Sequence, residues 1–568
     1  MTPTSDPIRD NLPGLLFLIV IIAVPLAFVV SIGLLRLYRR TVIRAMGKRV
    51  NVRSTEPVPL DSSELPQEPM QTPLNIAVFD PVSVMATRSA PEGLYADVRR
   101  APWRAAAIYA AAGFCYAIVM AIAYLAATNS RLSFFIWLWI YAWPIVLVIN
   151  IVAVATWRTK LMIVSAYFLI LAVLYAIAVV KNPALTWIQI ARPWFITNFL
   201  VTVLLLAFLN RSVQAVGPLV LIVMLLAVTG SNLALIIVDN NARLRSFIAE
   251  FATALGLGDY IFTGLVVIGF IIFGVVGWLV LQWIVVWYKQ KKISDQSITI
   301  DAIWLLYGII QSIDLIFEGT IWFLAVLLAF VIYKVVSWVG FSVLSEQASS
   351  SRKSPTLLLL RVFSLGKRSE HLFDAVALHW RYIGGIRLIA GPDLATSTVE
   401  PHEFLDFLSG KLARRFIDNS QTLELRISEM DVRPDQDGRF RVNDFFCYED
   451  TWRVVLSRLV GESDIVLMDL RGFSSQNTGC VFEISELINL VPLGRVLFII
   501  DQTTDEPFLR QVMQQSWDHM RPTSPNRLSP SGLLHLFRLR EFHNRELQQL
   551  LHVLSTSANA APEVQVLA

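Results

Sequence analysis

Between residues 105 and 288, six apolar segments follow one another with very few charges: 105–127, 133–156, 161–180, 194–209, 215–238 and 259–288. A helix of about 20 apolar residues spans the hydrocarbon core of a bilayer, where the backbone has to satisfy its own polar groups. Leu12–Leu35 is a further segment of this kind, longer than the apolar core of a cleaved signal peptide. The composition agrees: 55% of the 568 residues are apolar and 16% charged, with mean hydropathy +0.57, which is too apolar for a wholly soluble chain. The net charge of +4 is small and is accounted for by Arg and Lys flanking the apolar segments; nothing in it points to nucleic acid.

The flanking cations set an expected topology. Arg36, Arg39, Arg40 and Arg44 follow the first segment, which places its far end and the Pro-rich stretch 41–103 in the cytoplasm. Arg99, Arg100 and Arg104, then Arg158 and Lys160, Arg211, and Lys289–Lys292 fall on the sides that alternation requires, whereas Arg243 and Arg245 do not. Trp187–Trp194 is expected along the interface, ahead of a short fourth span in this set. The stretch 299–341 is read as two further spans, 300–317 and 320–339, turning at Glu318. That gives nine spans within 1–40 and 104–345, in the cell membrane, with a cytoplasmic C-terminal region. Such a hairpin would bring Asp301 opposite Lys334, near the cytoplasmic face. Most of 50–100 is read as a disordered linker, in which Leu74–Phe79 is apolar enough to dock as a strand on the folded tail.

After a polar linker, 346–355, the composition becomes that of an ordinary globular domain, 356–556, followed by a disordered tail, 557–568. Apolar strand-like runs alternate with amphipathic helices: Leu357–Phe363, Ile386–Ala390, Ile465–Leu470, Val496–Ile500 and Leu533–Leu539 each precede one. Five β/α units in series predict a five-stranded parallel sheet of flavodoxin-like layout, with ligands beyond the carboxyl ends of the strands. Ser364, Gly366 and Lys367 follow the first strand, where backbone amides and cations at a helix start suit a phosphate. Asp393 and Asp469 arrive at the same edge. Three cysteines, Cys115, Cys447 and Cys480, make no disulfide framework, and the histidines are not at metal-ligand spacing, so no metal site is expected.

The segment Ser463–Leu487 is the most informative. Ile465–Met468 is an unbroken apolar run closed by Asp469; a polar loop follows, then a helix from about Asn477 or Thr478 carrying Cys480-x-x-Glu483 in its first turns. Glu483 flanks the apolar face of that helix, and Glu486 is expected to point to water. This order resembles the Toll/interleukin-receptor (TIR) domain, whose corresponding helix carries W-C-x-x-E-L; here Gly479 stands where that family usually has Trp. The resemblance implies a TIR-like domain, Glu483 as the catalytic carboxylate in those members that cleave NAD, NAD as substrate, and a homo-oligomer assembled through the C-terminal domain.

Three functions stand open on the sequence: a membrane-anchored signalling or defence protein that consumes NAD, a non-catalytic interaction module coupled to a membrane sensor, and a channel or transporter with a regulatory tail. Few ionisable residues fall inside the spans, which argues against ion-coupled transport. The bland roles compete with the sharp ones: Cys480 as a small buried apolar residue rather than a thiolate, and Glu483 as a surface residue.

Overall fold

The computed structural model describes residues 7–47, 74–79 and 92–559, apart from 129, 131, 155, 209–212, 214–215, 257–259, 349–353, 363–366, 391–400, 411, 449–450, 529–531 and 541–543. Most of the expected linker and the last residues of the tail therefore lie outside the described residues. The chain divides into two compact units: residues 1–38, 105–347 and 399–408, and residues 39–104, 348–398 and 409–568.

The first unit is helical. Its elements are α1 (Pro7–Gly47, to Tyr38), α2 (Glu92–Ala127, from Ala105), α3 (Phe134–Tyr141), α4 (Trp143–Val152), α5 (Trp157–Lys181), α6 (Trp187–Trp194), α7 (Leu200–Phe208), α8 (Gly217–Asn240), α9 (Ala242–Ala254), α10 (Tyr260–Lys289), α11 (Asp295–Glu318) and α12 (Phe323–Ala348). Among the described residues, eight stretches are long and apolar enough to cross a membrane: Ile21–Ala45, Leu94–Ala127, Phe134–Val152, Trp157–Lys181, Trp187–Leu206, Gly217–Val238, Thr263–Lys289 and Leu324–Leu344. The outward faces of α5 and α10 carry exposed Leu169, Val173, Ile271, Ile272, Val275 and Leu279, a surface suited to lipid rather than water. Trp187–Trp194 is not a separate element: α6, a π-helical turn at Phe195–Phe199 and α7 follow without a break, so this span is longer than the sequence suggested.

The expected span 300–317 is α11, and it is not among the eight. Its reason for being less apolar is visible. Ile303, Trp304, Leu306 and Tyr307 are fully buried, so most of its surface meets other helices and not lipid. Two of its polar groups, Gln311 and Tyr307, find partners there. Tyr116 Oη donates to Gln311 Oε1 at 3.2 Å. Thr202 Oγ1 donates to Asn198 O at 2.6 Å and lies 2.8 Å from Tyr307 Oη, while Trp143 Nε1 donates to it at 2.7 Å. Gly319, at φ 147°, turns the chain into α12, and Lys334 Nζ meets Asp301 Oδ2 at 2.7 Å. The pair forms at the middle of the apolar stretch Leu324–Leu344, not near one of its ends. Helices α8 and α10 approach closely: a Cβ on Gly269 would lie 2.6 Å from Gly230 O, and Ser231 Oγ donates to Val266 O at 3.0 Å.

The second unit is an α/β domain: β1 (Leu74–Phe79), β2 (Leu357–Arg361), α13 (Lys367–Trp380), β3 (Ile386–Ala390), β4 (Phe416–Ile417), α15 (Ser420–Ser428), β5 (Val442–Cys447), α16 (Trp452–Glu462), β6 (Ile465–Asp469), α17 (Thr478–Leu490), β7 (Val496–Ile500), α18 (Glu506–Asp518), β8 (Gly532–Arg538) and α19 (Asn544–Asn559). Between β3 and β4, α14 (Pro401–Leu408) belongs to the first unit, where Tyr38 Oη donates to Glu403 Oε2 at 3.3 Å.

The sheet has eight strands, not five, all parallel, in the order β1-β8-β7-β6-β2-β3-β5-β4. The five expected strands form its centre in flavodoxin-like order, β3-β2-β6-β7-β8. The excursion 417–462 adds β5 beside β3, with β4 outside it, and Leu74–Phe79 adds β1 along β8. Burial alternates as a two-sided sheet demands. Leu358, Leu360, Val466, Met468, Phe498 and Ile500 pack under α16, α17 and α18; Leu357, Leu359, Ile465, Leu467, Leu497 and Ile499 pack under α13 and α19.

Candidate functional site

The strand order reverses direction between β2 and β6, and in a doubly wound sheet that is where a crevice opens at the carboxyl ends. Among the described residues, the chain's own charges meet there. Asp469, at the end of β6, is fully buried and accepts from Arg471 twice, Nε to Oδ1 at 2.8 Å and Nη2 to Oδ2 at 2.7 Å. Ser369, in the first turn of α13, donates to Oδ2 at 3.1 Å. Gly472, at φ 70°, allows the tight turn that folds Arg471 back on Asp469. Arg471 Nη2 also donates to Arg368 O at 2.9 Å, and Arg368 in turn reaches Asp501 Oδ2 at 2.5 Å. Thr503 caps the other oxygen of Asp501 through its backbone N–H at 2.9 Å and its hydroxyl at 2.5 Å. In this network the Arg368 guanidinium is half exposed and Thr503 is exposed, so both face water.

Cys480 and Glu483 are brought together one helical turn apart in α17, and both are buried. Burial pushes the Glu483 carboxyl up from 4.5 to about 8; the Cys480 thiol hydrogen-bonds to it and offsets a small part of that rise. Among the described residues, Glu483 Oε2 has no hydrogen-bond partner by geometry. Burial, and then the neighbouring carboxylate, push the Cys480 thiol upward, so the helix N-terminus does not make it a thiolate. Glu483 is thus not a surface residue, and its burial favours the protonated form.

Glu486 does not point to water either. It is 3% exposed, accepts from Arg521 Nη2 at 2.5 Å and from Ser457 Oγ at 2.9 Å, and forms part of an open groove of about 350 Å³ with Arg453, Phe482, Leu490 and Arg521. The Arg453 guanidinium lies over the Phe482 ring at 5.1 Å and the Trp452 ring at 5.5 Å.

Of the residues expected at the site, Asp469 is committed to Arg471 and Ser369, and Cys480 and Glu483 form a separate buried pair. Ser364, Gly366 and Asp393 lie outside the described residues. Lys367 opens α13, but its side chain is likewise outside them. Arg368, Ser369, Arg471 and Asp501 were the residues whose joint role the sequence did not reveal. The Asp-x-Arg spacing after β6 is the one local signal for it. No family model, curated protein or solved structure matches this chain.

Proposed function

We propose that this chain is a multi-pass membrane signalling protein whose C-terminal α/β domain, TIR-like in the order of its elements and cytoplasmic, acts as a non-catalytic module that couples the membrane helices to assembly. Eight membrane-length helices support the membrane part. The observation that carries the non-catalytic reading is the state of the two places where chemistry was expected. Asp469 and Asp501 are occupied by Arg471, Arg368, Ser369 and Thr503, and the burial of Glu483 works against the charge that a cationic transition state would need.

A second reading, cleavage of NAD at its nicotinamide–ribose bond, is favoured by one feature: Glu483 lies in the second turn of the helix that follows β6, with its carboxyl raised to about 8, as is common for working acids. The test uses the full chain purified in detergent, with and without a bivalent crosslinker to cluster it, incubated with NAD. The proposal expects clustering to change oligomeric state with no release of nicotinamide. Nicotinamide release that Glu483→Gln abolishes would overturn it in favour of the enzyme.

A further inference from the structure

Lys334 is the one Lys, Arg, Asp or Glu in Leu324–Leu344 and stands at the centre of that 21-residue stretch. At 1.5 Å per residue it is about 15 Å from either end, which is the depth of a bilayer midplane. Its ammonium is bound to Asp301 at 2.7 Å, yet the lysine side chain is 39% exposed and the aspartate 16%. An ionised pair buried between helices is a familiar device; one that opens onto hydrocarbon is costly.

The surfaces on either side show how it opens. On α12, Val326, Ala329, Tyr333, Ser337 and Phe341 form the buried stripe, and Leu327, Val331, Val335 and Trp338 the outward one. Lys334 lies on the shoulder between them. On α11, Asp301, Leu305 and Ile309, four residues apart, are the half-buried stripe of a stretch that is otherwise buried from Ala302 to Ile310. The pair therefore lies in a lengthwise seam with apolar residues above and below it.

Lys334 keeps capacity, since among the described residues it uses one of its three N–H donors, whereas the Tyr333 hydroxyl lies beside Asp301.

We propose that this seam of α11 and α12 is an intramembrane interface that seats a second copy of this chain, the two Asp301–Lys334 pairs closing across a two-fold axis as one neutral four-charge set. A second copy is the fitting occupant because the pair is self-complementary: each copy presents one acid and one ammonium, and an isologous contact brings each to the other's opposite. Val331, Val335 and Trp338 supply the packing around it. The inference rests on the membrane reading above and goes beyond the expected assembly through the C-terminal domain.

The test is disulfide trapping of the full chain in native membranes, with Val331→Cys and Val335→Cys on the proposed face and Val275→Cys on the outward face of α10 as control. The parent chain is run alongside to account for Cys115, Cys447 and Cys480. Covalent dimer is expected at 331 and 335, and not at 275 or in the parent. Adding Lys334→Met should lower that dimer by about 3- to 10-fold, in line with single polar contacts between membrane helices, whereas the exchange Asp301→Lys with Lys334→Asp should keep it and so separates loss of contact from loss of fold. No dimer at 331 or 335 in chain that resists alkaline extraction from the membrane, or equal dimer at 275, overturns the interface alone. Chain that alkaline extraction removes from the membrane overturns the membrane reading and the interface with it.

Discussion

Glu486 and Arg521 are joined at 2.5 Å, the carboxylate almost wholly buried and the guanidinium half in water. The two sides of the pair are therefore not equivalent. Arg521→Met leaves a buried carboxylate whose remaining partner is Ser457, and is expected to cost about 2 kcal/mol, less than for a fully buried pair because the arginine is screened. Glu486→Gln removes the charge and keeps a hydrogen-bonding group, at about 1 kcal/mol. Thermal unfolding of the detergent-solubilised chain, read on the α/β domain, should rank them in that order. A reversed ranking would mean that the charge on Glu486 is what the fold needs.

Glu483 gives the domain a pH dependence of opposite sign to an ordinary salt-bridged carboxylate. Its carboxyl is at about 8 when folded and 4.5 when exposed, so the folded state holds the extra proton between those values. Stability from this group is complete below pH 4.5 and is lost as pH rises towards 8, by on the order of a few kcal/mol. Glu483→Gln has no such titration. The variant should be the less stable protein at pH 5 and the more stable at pH 9; parallel profiles would show that Glu483 is ionised in the fold.

The approach of α8 and α10 is set by glycine. A Cβ on Gly230 would overlap Gly269 O and Phe273, whereas Gly264 on the same α10 has nothing within 4 Å. Gly230→Val is expected to force the helices apart and cost about 3 kcal/mol or more. Gly264→Ala should be neutral or slightly stabilising, since alanine is the better helix former. Expression in the membrane and melting temperature in detergent check both.

Strand β1 closes one edge of the sheet. Leu74, Ile76 and Val78 pack on the core under α18, and the Phe79 ring meets His535 edge-on at 5.1 Å. Ile76→Asp puts a charge into that core and should cost about 2–3 kcal/mol. The first sign would be proteolysis within 74–79 under conditions in which the rest of the domain stays protected. Protection unchanged from the parent would show that β1 adds nothing to the edge.

The sequence by itself determined the elements. Apolar length marked out the eight membrane-length helices, because a bilayer fixes how many residues a span needs, but it also marked a ninth, 300–317, that is not among them. Strand runs such as Ile465–Met468 were legible because a strand covered on both faces leaves no room for polar residues. Even the Asp301–Lys334 pair followed from a turn near Glu318, since a hairpin fixes which residues stand opposite. What the sequence did not determine is whatever depends on a cover from elsewhere in the chain. Only the tertiary structure placed β1 on β8, some 450 residues on, and enclosed α11 among other helices. It also decided the fate of Glu483 and Glu486. A helical wheel gives each an angle, but α16 and the chain around Arg521 close over that face of α17, and they turned two glutamates of uncertain or outward aspect into buried ones. Burial then decided their chemistry, a paired carboxylate in one case and a protonated acid in the other, because charge state follows the loss of water and the presence of a partner, and neither is written in local sequence.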